Sequence, residues 1–231
     1  MLPAMAKRAL IVVTSHADLG TTGKKTGWYL SEVTHVYFPL IEAGFHVDFA
    51  SPQGGAAPLD EGSRKLDDAD NKRFVEDEAL MASLLRTLPL AEVDPADYEV
   101  VHFAGGHGVM WDFPGNADVE RVAAGIYARG GIVAAVCHGP AALVDVKLPG
   151  GSYLVSDQDV SAFTNAEEIA AGMADVVPFA LQTKLEERGA RHHAGPNWSS
   201  QVSVSGRLIT GQNPQSAKAV GERIVEVAGR R

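Results

Sequence analysis

The chain has 231 residues, 45% of them hydrophobic, which fits one α/β domain with a sizeable core. With 20 basic against 29 acidic residues the formal charge is −9, and no Lys/Arg cluster appears, so nucleic acid is not an expected partner. The single cysteine cannot form an internal disulfide and points to a reducing compartment.

Residues 8–14 read as a first strand. The apolar run at 9–13 is too short for a secretory segment or a membrane span, so a cytoplasmic protein without membrane contact is expected. A loop rich in Gly, Thr and Lys covers 15–26. Residues 28–43 carry a helical pattern that stops at Gly44, a good C-terminal cap. Residues 45–50 alternate like a second strand. The Gly-, Pro- and Asp-rich loop 51–70 has an open role, the shaping of a pocket entrance among the possibilities. Residues 71–88 have helical spacing of Phe74, Leu80, Met81, Leu84, Leu85 and Leu88. A strand at 98–104 runs into Gly105-Gly106-His107-Gly108. A helix at 117–129 puts Val119, Val122, Ala123 and Ile126 on one face and closes at Gly130. The apolar strand 131–136 ends abruptly at Cys137. A further strand is expected at 160–163, a helix at 178–188, a hairpin at 202–210 turning at Ser205-Gly206, and a closing helix at 214–228. This alternation predicts an α/β, doubly wound, mostly parallel sheet sandwiched by helices, one domain over 1–231, with its site at the carboxyl ends of the strands.

The chemistry centres on Cys137. Ala135 and Gly139 stand two places either side of it, as small residues do around a nucleophile elbow. A sharp strand-to-helix turn projects the nucleophile with strained backbone angles, and large neighbours would collide. Pro140 suits the first position of a following helix, whose dipole would favour the thiolate and lower the thiol pKa. His138, next to the thiol, is a candidate general acid/base that needs an orienting partner. Glycines at 105 and 106 let the backbone turn its N–H groups inward. The Gly106 and His138 N–H groups are therefore the candidate oxyanion hole. Gly105 and His107 are candidate substrate contacts, although His107 reads equally well as solvent-facing. The histidines have no zinc-ligand spacing, and the glycine turn lacks the Lys and Ser/Thr of a phosphate loop, so neither metal nor cofactor is expected.

Four segments together resemble the ThiJ/PfpI superfamily: Ala135-Val136-Cys137-His138-Gly139-Pro140, Ala104-Gly105-Gly106-His107-Gly108, Gly27-Trp28-Tyr29-Leu30-Ser31-Glu32 and Thr210-Gly211-Gln212-Asn213-Pro214. The resemblance implies the flavodoxin-like fold of class I glutamine amidotransferases. It runs over nearly the whole chain and is nearest to the heat-shock-associated glyoxalase III branch. It implies that Glu32 reaches the nucleophilic sulfur, with a raised pKa because two negative charges repel. It also implies a Cys-His-acid triad whose acid falls at Glu168, with Glu167 a neighbouring alternative and Asp159 a distant one. The implied activity is glutathione-independent conversion of a small 2-oxoaldehyde, methylglyoxal, and water to lactate. A homodimer is the implied assembly. A stress holdase, a redox sensor oxidised at Cys137, a protein deglycase and a cysteine peptidase are the rival readings.

Overall fold

The computed structural model describes residues 7–230; the ends of the expected 1–231 domain, residues 1–6 and 231, lie outside the described residues. In chain order the elements are β1 (Arg8–Val12), α1 (Leu30–Glu42), β2 (His46–Ser51), α2 (Ala69–Glu76), α3 (Glu78–Leu84), β3 (Leu88–Pro89), β4 (Val100–Phe103), α4 (Val109–Asp112), α5 (Ala117–Ala128), β5 (Ile132–Val136), β6 (Asp159–Val160), α6 (Asn165–Ala170), α7 (Leu181–Glu187), β7 (Arg191–His192), β8 (Val202–Ser205), β9 (Leu208–Gly211) and α8 (Ala217–Gly229). Seven strands form one sheet in the order β3-β2-β1-β4-β5-β9-β8. Every pairing in it is parallel except the β8–β9 hairpin. The strand order reverses between β1 and β4, which places a crevice beyond their carboxyl ends.

The central strands are apolar on both faces, as a doubly covered parallel sheet requires. Leu10, Val12, Val101, Phe103, Val133 and Ala135 point to one face and pack with Val119, Val122, Ala123 and Ile126 of α5. Their alternates Ala9, Ile11, Val100, Ile132, Ala134 and Val136 point to the other. There they meet Leu30, Val33, Val36 and Leu40 of α1 and Val220 and Ile224 of α8. Cys137 continues this second face. The side chain of His102 on β4 lies on it too, where its Nε2–H donates to the Glu32 carbonyl at 3.0 Å.

The structure departs from the sequence reading in four places. The helical pattern at 71–88 is two helices, because Asp77 takes an extended conformation (φ −86°, ψ 102°) and caps α3 through the Ala79 and Leu80 N–H groups. Leu88 and Pro89 instead join the sheet edge as β3. The strand expected at 160–163 is Asp159–Val160, paired with β7 in a separate two-stranded sheet. The chain after Cys137 is a 3-10 helix, Gly139–Leu143, in place of the expected longer helix. Among the described residues no helix is long and apolar enough to cross a membrane.

Candidate active site

Cys137 follows β5 with φ +61°, in the left-handed region that a non-glycine residue enters only under strain. Two hydrogen bonds hold the turn: the Cys137 N–H donates to the Gly211 carbonyl, and the Phe163 N–H donates to the Cys137 carbonyl, both at 2.9 Å. Close packing accounts for the small neighbours. A Cβ at Gly139 would lie 2.1 Å from the Phe103 carbonyl oxygen. Gly106 has φ +96°, and a Cβ there would lie 2.1 Å from the Gly27 carbonyl oxygen. The strand ends at β4 and β5 are thus in near-contact, which brings Gly106, His107, Cys137 and His138 to one cavity of about 620 Å³.

Glu32 enters from the first turn of α1 and is fully buried. One carboxyl oxygen, Oε2, accepts the Gly105 N–H at 2.7 Å. Gly105, expected to meet substrate, therefore uses its amide to anchor Glu32. The second oxygen, Oε1, is buried without a hydrogen-bond partner of good geometry, and the Cys137 thiol is its ionisable neighbour. Burial pushes the Glu32 carboxyl up to about 8, against the lowering effect of the Gly105 N–H and the thiol. This is the expected direction.

The thiol behaves otherwise. Burial, and then the charge of Glu32, push the Cys137 pKa up, although the His138 N–H works to lower it. The expectation of a depressed thiol pKa is therefore corrected. The 3-10 helix that follows is too short to supply a sizeable dipole, and 3% exposure leaves little water to solvate a thiolate. Glu32 and Cys137 cannot both carry charge at this separation, so the pair retains a proton at neutral pH.

His138 is 1% exposed. Its Nδ1 lies 3.4 Å from Cys137 Sγ and its Nε2 lies 2.7 Å from Glu168 Oε2. Burial and His107 lower the His138 pKa, so the ring is neutral and its proton sits on the nitrogen facing the carboxylate. Burial also opposes ionisation of Glu168, yet His138 and His107 hold its carboxyl down to about 2. The two shifts pull against each other, since a charged ring would be needed for the full lowering of Glu168. An ionised Glu168 accepting Nε2–H from a neutral His138 reconciles them. It leaves the Nδ1 lone pair facing the thiol.

Capping distinguishes the two adjacent glutamates. Thr164 starts α6 with a capping box: its hydroxyl accepts the Glu167 N–H at 3.0 Å, and Glu167 Oε2 accepts the Thr164 N–H at 3.1 Å. The remaining Glu167 oxygen accepts from Asn213 Nδ2 and from the Trp198 N–H. Glu167 is thus a structural residue, and Glu168 faces the histidines. Asp159 is bound to Arg191 and His193, away from the site.

His107 joins the cluster through its own Nε2, 2.9 Å from Glu168 Oε1. The rings of His107 and Phe163 both pack against His138, with centroids 4.2 and 4.3 Å away, and lie 6.1 Å from each other. His107, His138 and Glu168 thus present three ligand-type atoms within 4.8 Å of one another, as do His35 of α1 and Asp68 and Asp70 at the start of α2. The sequence reading did not find Tyr29, Asp60, Phe163, Trp198 or Gln215 as cavity-lining residues. Asp60 and Gly62 put the 51–70 loop at the cavity wall, as one of its possible roles required.

Residues 26–227 match the DJ-1/PfpI family. Over 96% of its length the chain is 33% identical to a glutathione-independent glyoxalase, hsp3102, of Schizosaccharomyces pombe, of which 98% is covered. Among solved structures, the chain superposes on the Rapid Encystment Protein of Francisella tularensis with a TM-score of 0.92 at 40% identity, covering 96% of this chain and 98% of that one. It superposes on glyoxalase III of Candida albicans with a TM-score of 0.89 at 27% identity, covering 96% and 97%.

Proposed function

From the premise that this chain belongs to the DJ-1/PfpI family, we propose that it is a glutathione-independent glyoxalase that converts a small 2-oxoaldehyde such as methylglyoxal, with water, to the 2-hydroxy acid. The observation that carries the reading is a fully buried carboxyl, Glu32, beside the Cys137 thiol, together with a carboxylate-bound imidazole, His138, 3.4 Å from the same sulfur. A hydrolase of the Cys-His-acid type has use for the second group but not for the first.

The residues assign the steps as follows. His138 Nδ1 takes the thiol proton as Cys137 Sγ bonds to the aldehyde carbon, and the product is a hemithioacetal. The Gly106 and His138 N–H groups are the proposed donors to the substrate oxygen. Glu32 first gives its proton to the hemithioacetal oxygen and, now a carboxylate, takes the proton from the former aldehyde carbon. His138 returns its proton to the neighbouring carbonyl oxygen to give the enediol. Glu32 then delivers its proton to that neighbouring carbon and recovers one from the former aldehyde oxygen. The former carbonyl carbon is thereby reduced and the former aldehyde carbon oxidised to a thioester. Water activated by His138, with Glu168 holding the ring, cleaves the thioester and returns the thiol. No external oxidant or reductant is needed, because the two substrate carbons exchange oxidation states.

The test is the intact mass of protein quenched during exposure to methylglyoxal. Glu32→Gln, which keeps His138 to take the thiol proton but cannot move the carbon-bound proton, is expected to accumulate one substrate-sized adduct mapped to Cys137. Adducts spread over Lys and Arg, with Cys137 unmodified, would contradict the reading.

A further inference from the structure

The mechanism uses one oxygen of Glu168 and one histidine, and it leaves Glu168 Oε1 and His107 without a task. A triad needs one imidazole. Here two imidazole Nε2 atoms bracket the same carboxylate at 2.7 and 2.9 Å. From this we infer that His107, His138 and Glu168 form an inhibitory site for a divalent d-block cation, of which zinc is the natural probe.

The donor set favours that class of ion. Two neutral imidazoles and one carboxylate suit zinc and its neighbours, whereas calcium and magnesium call for more oxygen ligands. Tetrahedral zinc at ordinary bond lengths places its ligand atoms roughly 3.3 Å apart. The two imidazoles now meet different oxygens of Glu168, so the carboxylate must turn to offer one of them, and the three ligand atoms, already within 4.8 Å of one another, must come to that spacing. The frame is rigid on two sides. Glu168 is carried by a helix with a capping box, and the His138 ring packs against the Phe163 ring, centroids 4.3 Å apart. His107 and His138 both line the cavity, so the fourth coordination position opens to water or substrate.

Occupancy would switch the site off through the tautomer of His138. A metal on Nε2 requires that nitrogen's lone pair, so the ring's proton moves to Nδ1. Nδ1, 3.4 Å from the sulfur, then becomes a donor and can no longer accept the thiol proton. Glu168 is drawn into coordination at the same time. The ion thus acts as a reversible brake rather than as a cofactor.

Zinc chloride titrated calorimetrically into the reduced, chelator-treated chain is the first experiment. One ion per chain is expected. His107→Asn should weaken binding at least tenfold, about the least that even an outer partner of a metal ligand contributes. Cys137→Ser should leave affinity unchanged, and cobalt in place of zinc should show a visible spectrum without a thiolate charge-transfer band. Absence of a one-to-one heat, or binding that disappears in Cys137→Ser and persists in His107→Asn, would overturn the site. Far-ultraviolet circular dichroism confirms that each variant is folded. The inhibitory role rests on the proposed glyoxalase activity: zinc at saturation should stop lactate formation and a chelator restore it. Calorimetry is independent of that activity, so failure of the metal site and failure of the glyoxalase reading are told apart.

Discussion

Glu32→Gln is expected to make the protein more stable while removing its acid. In the folded chain burial pushes the Glu32 carboxyl to about 8 from an ordinary 4.5. The unfolded chain releases this proton near the ordinary value, so folding takes up a proton at intermediate pH. The sign follows directly. A carboxyl whose folded pKa is raised contributes its full stability below 4.5 and loses it as pH rises through about 8. At pH 7 the gap from 4.5 is about 2.5 units, and at about 1.4 kcal/mol per unit the wild type has given up ~3 kcal/mol that a neutral side chain keeps. Gln retains an oxygen to accept the Gly105 N–H, now at 2.7 Å, and offers its amide to the sulfur, so little packing is lost. Urea unfolding under reducing conditions measures the difference. The variant's advantage should be under about 1 kcal/mol at pH 5 and grow to ~3 kcal/mol at pH 7. A difference that does not change with pH, or a variant less stable than wild type at pH 7, would refute a neutral buried Glu32.

Other substitutions probe the rest of the site. Glu168→Gln removes the charge that fixes the His138 tautomer, and kcat/KM should fall about 10²- to 10⁴-fold with the fold intact; an unchanged pH–rate profile would place the orienting group elsewhere. Because Cys137 is the only thiol, ultraviolet thiolate absorbance against pH reports it alone. The wild-type midpoint should lie above that of free cysteine and move down in Glu32→Gln, since burial and then Glu32 raise it; a wild-type midpoint below free cysteine would contradict the burial argument. Gly139→Ala would put a Cβ 2.1 Å from the Phe103 carbonyl oxygen and should lower stability by more than about 2 kcal/mol, read as a drop in Tm.

The fold was legible because local pattern and global topology agree. Strands buried on both faces read as continuous apolar runs between helical patterns, and the small residues around Cys137 marked the turn where the strand ends. The elbow's φ of +61° and the forced glycine at 139 are what that spacing requires. The break at Asp77 was less visible. Its side chain caps the second helix, and Asp-Glu-Ala carries that signal only if the apolar spacing is not allowed to override it. The segment Thr164-Asn165-Ala166-Glu167 is a capping-box signature. Reading it as such would have assigned Glu167 to the helix start and left Glu168 free for the histidine. The approach of His107 to Glu168, 61 residues apart, had no such signal. Neither did Trp198, a strained residue (φ +60°) whose N–H is held by Glu167 beside the cavity. Both arise where loops from different strands meet, and no local spacing encodes that meeting. The thiol pKa was misjudged for a related reason. A helix dipole was read from Pro140, whereas burial, which depends on the whole fold, dominates.

The measurement closest to the central claim is lactate formation from methylglyoxal in the absence of glutathione, with wild type beside Cys137→Ala, His138→Ala and Glu32→Gln. The account predicts turnover in the wild type and its loss in all three variants, with Glu32→Gln inactive although more stable than the wild type at neutral pH. Lactate formed at an undiminished rate by Cys137→Ala would contradict a reaction through the sulfur. A wild type that consumes no methylglyoxal would contradict the glyoxalase assignment itself.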